Sequence, residues 1–179
     1  MTSTLTHQKN MEIDDCLHRL AAGEMNALER LYELTSTNIY GYALSLMQNK
    51  SDAEDVMHDL YVSVYSNAAL YSSRQKPLAW MLTITRNLAM AKLKEKNRSQ
   101  ELTDLQLQFI SSEEKLSPIE KETLRQTLRI LNDEERQIVV LHSLGFRHVE
   151  IAATLSMPLP TVLTKYHRAL KKLRKELEK

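Results

Sequence analysis

Glycine and proline are scarce in this chain, three and four of 179 residues, and that scarcity narrows the folds open to it. A β sandwich or barrel needs such residues at its many corners, so their shortage favours helices joined by short connections. The single cysteine, Cys16, excludes an internal disulfide and suits a reducing cytoplasm. No apolar run approaches the roughly 20 residues that span a bilayer. The opening MTSTLTHQKN lacks the apolar centre of a signal peptide.

Catalytic equipment is missing as well. There is no glycine loop to cradle phosphates, no metal-ligand spacing and no nucleophile beside a plausible base, so no enzyme, metal or cofactor is expected. Cys16 and His18 stand two residues apart on a helix and point in different directions. His58, His142, His148 and His167 read as packing or surface residues.

What is present is charge, unevenly placed. The formal net charge is only +1. Residues 12–59 nevertheless hold ten acids against three bases, a net of −7. Residues 86–98 hold five bases (Arg86, Lys92, Lys94, Lys96, Arg98) against Glu95, a net of +4. Residues 161–179 hold seven bases against Glu176 and Glu178, a net of +5. Two basic segments behind an acidic front suit contact with a polyanion and with a second, different partner.

Apolar spacing predicts helices throughout. Ile13, Cys16, Leu17 and Leu20 mark one over 12–22, closed by Gly23. Leu28, Leu31, Tyr32, Ile39, Ala43 and Leu46 mark the next, from Glu24 to about Met47. Ser51 and Glu54 read as a capping box before a helix that buries Ala53, Val56, Met57, Leu60 and Val64. After the polar stretch SNAALYSSRQK, Pro77 suits a first helical turn, and Met81, Ile84, Leu88 and Ala91 line one face as far as Lys96. Residues 99–116 are aperiodic and acidic, a linker. SPIE (117–120) and NDEE (132–135) each start a further helix, the second ending at Gly145. The expected fold is all-α: two small helical domains, 12–98 and 117–179, joined by a flexible linker over 99–116, the second containing a helix-turn-helix.

That motif is RHVEIAATLSMPLPTVLTKYHRALKKL. Ile151, Ala152 and Leu155 pack its first helix, SMP makes the turn, and Val162, Tyr166, Ala169 and Leu173 form the inner face of the second. Lys165, Arg168, Lys172 and Lys175 fall near the outer face. Such a helix can enter a major groove while its bases hold phosphates. A two-helix corner is also a common packing unit, and a basic C-terminal helix complements its own dipole.

The same stretch, from LNDEERQIVVLHSLGF onward, resembles the fourth conserved region of extracytoplasmic-function (ECF) sigma factors of the sigma-70 family. Leu131, Arg136, Glu150, Ile151, Ala152, Thr161, Val162, His167, Arg168, Ala169 and Leu173 fit its pattern, without a gap over 150–173. DAEDVMHDLYVSVY is similar to the family's second-region helix, and PLAWMLTITRNLAMAKLKEKNR to the tryptophan-containing helix that follows. The chain departs from the pattern at Ser156, Pro158 and Pro160, at Leu163 where a lysine is usual, and at Ala91 where an aspartate is common. Those departures bear on promoter sequence rather than on fold.

The resemblance implies a cytoplasmic factor that binds core RNA polymerase, through the β′ clamp and β flap, and directs it to promoter DNA. An anti-sigma factor, often membrane-anchored, would restrain it. Capping and the helix dipole account for Ser51, Asp52 and Glu54 but not for Asp55 and Asp59. By resemblance, Asp52, Glu54, Asp55, Met57, His58, Asp59 and Tyr61 become the polymerase-docking surface. Asn67, Tyr71, Ser72, Arg74, Arg86, Asn87, Lys94 and Arg98 would serve the minus-ten element, Tyr71 by stacking on an unstacked base. Thr161, Leu163, Thr164, Lys165, His167, Arg168 and Lys172 would serve the minus-thirty-five element, Leu163 by touching a thymine methyl. Trp80 is expected in the core. A different class stays open: a sigma mimic that binds polymerase or an anti-sigma factor without reading promoters. Salt-dependent DNA binding separates the two.

Overall fold

A computed structural model describes residues 2–73, 76–99 and 130–178. Side chains are described for those residues apart from 2–7, 97–99 and 177. The chain divides into two compact units, the first within residues 1–107 and the second within 108–179. Among the described residues all regular structure is helical. The expected linker beyond Ser99 and the SPIE helix start lie outside the described residues.

The first unit contains α1 (Thr2–Ala21), α2 (Ala27–Met47), α3 (Lys50–Asn67), a 3₁₀ turn (Ala68–Leu70) and α4 (Pro77–Ser99). Helix α1 starts ten residues before the expected position. Nothing in 2–11 breaks a helix, and Lys9 ties the added turns to α2 by donating to Asn38 Oδ1 at 3.2 Å. Gly23, at φ +90, allows the reversal into α2 in a backbone region that side chains with a Cβ avoid. Ile13, Leu17, Leu31, Ile39, Tyr42, Leu60, Met81 and Leu82 are fully buried. Each such aliphatic side chain stabilises the fold by about 1.5–3 kcal/mol relative to exposure. Burial pushes the Tyr42 phenol well above its ordinary range.

Two expectations about this unit are corrected. The cap of α3 is Asn49, whose side chain accepts from the Asp52 backbone N–H at 3.1 Å, so Ser51 and Glu54 already lie inside the helix. Gln48 adopts the left-handed conformation that ends α2, leaving Asn49 as the extended residue before α3. The buried face of α4 is Leu78, Met81, Leu82, Thr85 and Ala89, while Ala91 is exposed and Ile84 and Leu88 are half-buried. Thr85 enters the core because its hydroxyl donates to the Met81 carbonyl at 2.9 Å and needs no water.

The second unit contains α5 (Asp133–Ser143), α6 (His148–Leu155) and α7 (Leu159–Leu177). Asn132 and Glu135 form the expected capping box, with Asn132 Oδ1 accepting from the Glu135 N–H at 2.9 Å. Gly145, at φ +91, permits the bend after α5. Helix α6 begins where the Arg147 backbone N–H donates to Glu150 Oε2 at 2.8 Å. It ends at Ser156, left-handed at φ 54, with the Met157 N–H donating to the Ala152 carbonyl at 2.9 Å. Ile138, Leu141, Ile151, Val162 and Ala169 are fully buried between the three helices. The motif read as a helix-turn-helix is therefore α6, the Ser156–Pro158 turn, and α7.

Candidate nucleic-acid and protein interfaces

On α3 the seven expected docking residues separate into two sets. Glu54, Asp55, His58 and Asp59 are exposed and Met57 is half-buried, so these five form a continuous outer face. Asp52 and Tyr61 turn inward. Asp52 is 8% exposed and pairs with Lys96, with Lys92 Nζ 3.8 Å away. Tyr61 is buried, shares a hydrogen bond of 2.8 Å with the Thr35 hydroxyl, and lies with its ring centroid 5.0 Å from Tyr32. Burial pushes its phenol up to about 12. Asp55 is met by Lys92 at 2.5 Å, and Glu54 by Lys50 at 3.6 Å. The acidic stripe is thus partly balanced by bases of its own unit.

In the segment after α3, Asn67 donates to the Ser63 carbonyl at 2.9 Å, and Ser72 is exposed. Tyr71 is held where it stands. Its hydroxyl donates to Asp14 of α1, and its ring lies 5.0 Å from Trp80 and 5.7 Å edge-on from His18. Ser73 donates to the other oxygen of the same Asp14 carboxylate at 3.0 Å. Burial, then the hydrogen bond to Asp14, keeps the Tyr71 phenol protonated far above its ordinary range. A tyrosine engaged on its hydroxyl and against two rings must be released from both before it can stack on a base. Trp80 is half-buried against it rather than deep in the core. Arg74 lies outside the described residues.

Helix α4 presents Asn87 and Lys94 to solvent, with Arg86 half-buried. The side chain of Arg98 is outside the described set. Lys92 and Lys96, one turn apart, serve Asp55 and Asp52 in the manner given above. Sequence reasoning counted both among the basic residues but missed this pairing. Their i, i+4 spacing placed them on one face without saying what that face meets.

On α7, Leu163, Thr164, His167 and Arg168 are exposed and Thr161 is half-buried. Thr161, Thr164, Lys165 and Arg168 line a shallow groove with Pro160. Lys165 Nζ donates to Glu134 at 2.6 Å and Lys172 Nζ to Glu135 at 2.6 Å. These two lysines therefore lean toward α5 rather than standing clear on the outer face. Burial opposes the charge on Glu135, yet its bonds to Lys172 and to the Asn132 backbone N–H prevail and hold the carboxyl below its ordinary value. Pro160, in the first turn of α7, supplies no N–H, and the Thr161 N–H is already given to the Pro158 carbonyl at 3.0 Å. These two positions therefore offer no free backbone N–H to an anion.

Three histidines that looked scattered in sequence converge here. His142 and His148 lie 4.9 Å apart, and Tyr166 lies 4.5 Å and 4.7 Å from them, with His167 6.0 Å beyond. Tyr166 and His142 Nδ1 are hydrogen-bonded at 3.2 Å. No group of three or more His, Cys, Asp or Glu side chains among the described residues could hold a metal ion. No helix among them is long and apolar enough to cross a membrane.

Comparison with known proteins adds a separate line of evidence. Residues 31–99 match the family model Sigma-70 region 2, and residues 121–173 match Sigma-70, region 4. The chain is 23% identical over 176 residues to the ECF RNA polymerase sigma factor SigK of Mycobacterium tuberculosis, covering 93% of this chain and 94% of that one. It is 22% identical over 182 residues to the ECF RNA polymerase sigma factor SigW of Bacillus subtilis, covering 93% and 97%. Among solved structures, the fold is similar to the sigma factor RpoE bound to the anti-sigma factor NepR from Bartonella quintana, with a TM-score of 0.73 and 19% identity over 84% of this chain and 96% of that one. It is also similar to CnrH bound to the cytosolic domain of CnrY, with a TM-score of 0.70 and 20% identity over 93% and 97%.

Proposed function

This chain belongs to the sigma-70 family, in its ECF group, and from that premise we propose how its two units divide the work of starting transcription at chosen promoters. The outer face of α3, made of Glu54, Asp55, Met57, His58 and Asp59, docks on a basic surface of core RNA polymerase. Acids around a methionine suit such a contact, in which charge steers the encounter and the apolar group is covered. The α4 residues Arg86, Asn87, Lys94 and Arg98 then follow the backbone of the opened strand. Asn67, Ser72 and Arg74 meet the minus-ten element from the segment between α3 and α4.

The second unit places α7 in the major groove at the minus-thirty-five element. Its exposed Leu163, Thr164, His167 and Arg168 face base edges and phosphates, with Thr161 beside them. Lys165 and Lys172 reach phosphates by leaving Glu134 and Glu135. The second unit also engages the β flap of the polymerase. An anti-sigma factor covers the same docking faces, and the factor acts in the cytoplasm. The helix-turn-helix carrying exposed Arg168 and His167 in its second helix, at the matching positions of the family pattern, carries this reading.

Run-off transcription from the host's genomic DNA, using purified core polymerase with and without the protein, tests it. An Asp55→Arg, Asp59→Arg double variant changes two exposed residues and is expected to fold. Discrete new transcripts that disappear with the variant would support both promoter recognition and the α3 docking face. Stable binding to core without any new transcript would overturn it in favour of a mimic.

A further inference from the structure

Helix α5 sends two consecutive acids toward α7. Glu134 meets Lys165 and Glu135 meets Lys172, each at 2.6 Å. The two acids differ in what else they do. Glu135 is fully buried and completes the Asn132 capping box, accepting the Asn132 backbone N–H at 3.2 Å. Glu134 takes no part in the capping box: it stands in the first turn of α5 with its side chain 48% exposed, and accepts from Lys165. An exposed ion pair contributes only about 0–1 kcal/mol to stability and a first-turn acid about 0.3–1 kcal/mol through the helix dipole, neither of which requires Lys165 as the partner. Lys165, by contrast, is among the residues lining the groove with Thr161, Thr164 and Arg168 on the face proposed for DNA.

We propose that Glu134 is a built-in counter-ion of the DNA-facing helix, which occupies Lys165 in the absence of DNA and limits how tightly the unit holds phosphates regardless of sequence. The inference rests on the reading of α7 as the helix that meets DNA. Sequence-independent affinity comes mainly from lysine and arginine neutralising phosphates and releasing condensed counter-ions. A phosphate that takes Lys165 must first displace a carboxylate already within 2.6 Å, and that carboxylate then repels the incoming strand. In a sequence-independent complex, where no base contact fixes the register, this opposes every encounter equally. Because a genome offers a vast excess of such encounters, weakening them lowers the share of the protein held on DNA outside any promoter.

The test is the salt dependence of binding to a random-sequence duplex, measured by fluorescence anisotropy with the full chain and with Glu134→Gln. Asp133→Asn is the control. It removes the same charge one residue away, from a carboxylate that pairs with Arg136 of its own helix at 2.9 Å. The expected result for Glu134→Gln is binding several-fold tighter at about 0.1 M salt, with the log–log salt slope steeper by about 0.9. Asp133→Asn should stay close to wild type. Unchanged or weaker binding by Glu134→Gln overturns the inference, as does an equal gain in both variants, which would make it an effect of net charge. If wild type binds and loses affinity on Arg168→Ala, the DNA-facing reading stands whatever Glu134 does. If neither wild type nor Glu134→Gln binds even at low salt, that reading falls and the inference with it.

Discussion

Lys92 of α4 reaches across to Asp55 of α3, Nζ to Oδ2 at 2.5 Å, with Asp52 3.8 Å from the same ammonium. The acids proposed for polymerase and a base from the helix proposed for DNA are therefore each other's partners in this structure. The pair joins two helices that are 37 residues apart at these positions.

The two acids differ in exposure, and their replacement should separate accordingly. Asp55→Asn removes a carboxylate that is 59% exposed, so the first unit should lose less than about 1 kcal/mol. Asp52→Asn alters a side chain only 11% exposed, between Lys92 and Lys96, and should cost about 1–3 kcal/mol. Urea unfolding followed by circular dichroism measures both. Equal losses would show that burial does not set the difference.

Asp14 and Tyr71 should be energetically coupled. The Asp14 carboxylate accepts hydroxyls from Tyr71 and Ser73, residues 57 and 59 positions away. A double-mutant cycle with Asp14→Ala and Tyr71→Phe should give an interaction energy of about 1 kcal/mol, within the usual range for contacting pairs. Strict additivity in denaturant unfolding would argue that the hydroxyl is held by something other than Asp14.

Acidification should loosen the second unit through His148. Burial, then His142 and His167, hold its imidazole below the ordinary value of 6.5, and its Nε2 is buried without a hydrogen-bond partner among the described residues. A base with a depressed folded pKa binds protons more readily when unfolded, so stability rises with pH across that interval. The contribution is complete above about 6.5 and is lost as pH falls toward the folded pKa. Glu135 acts in the same direction at lower pH: its depressed carboxyl contributes at neutral pH, and that contribution is lost only as pH falls below the ordinary carboxylate range. Thermal unfolding between pH 8 and pH 5 should therefore show a fall in midpoint beginning near pH 6.5, flattened in His148→Phe. The same fall in the variant would assign the dependence elsewhere.

Gly145→Ala should destabilise the second unit by about 1–2 kcal/mol, because φ +91 is costly for any residue with a Cβ. Space is not the obstacle, since beyond its two chain neighbours nothing lies within 4 Å of a Cβ placed there. An unchanged unfolding midpoint would mean that the bend after α5 relaxes without loss.

Much of this was open to sequence reading, for local reasons. The Asn132–Glu135 box, the Gly145 bend and the short turn before α7 each depend on residues within a few positions of one another. The same locality misled at α3. Ser51 and Glu54 match a capping pattern, but Asn49 competes for that role, and the left-handed Gln48 before it decides the outcome. The buried side of α4 was displaced because Thr85 counts as polar in a pattern yet satisfies its hydroxyl on its own helix. The pairs Asp55–Lys92, Asp14–Tyr71 and Glu134–Lys165 left no local trace at all. Their partners are distant in sequence, and only the packing of one helix on another brings them together.

Cys16 gives the first unit its own clock. It is the one thiol in the chain and is buried on α1, with burial and then Asp15 pushing the thiol above its ordinary pKa. At 3% exposure on the wall of a surface groove, the thiol reacts faster with a reagent that needs the thiolate whenever α1 lifts from its neighbours. A change that loosens α1, the helix whose Asp14 holds Tyr71, should therefore speed its alkylation.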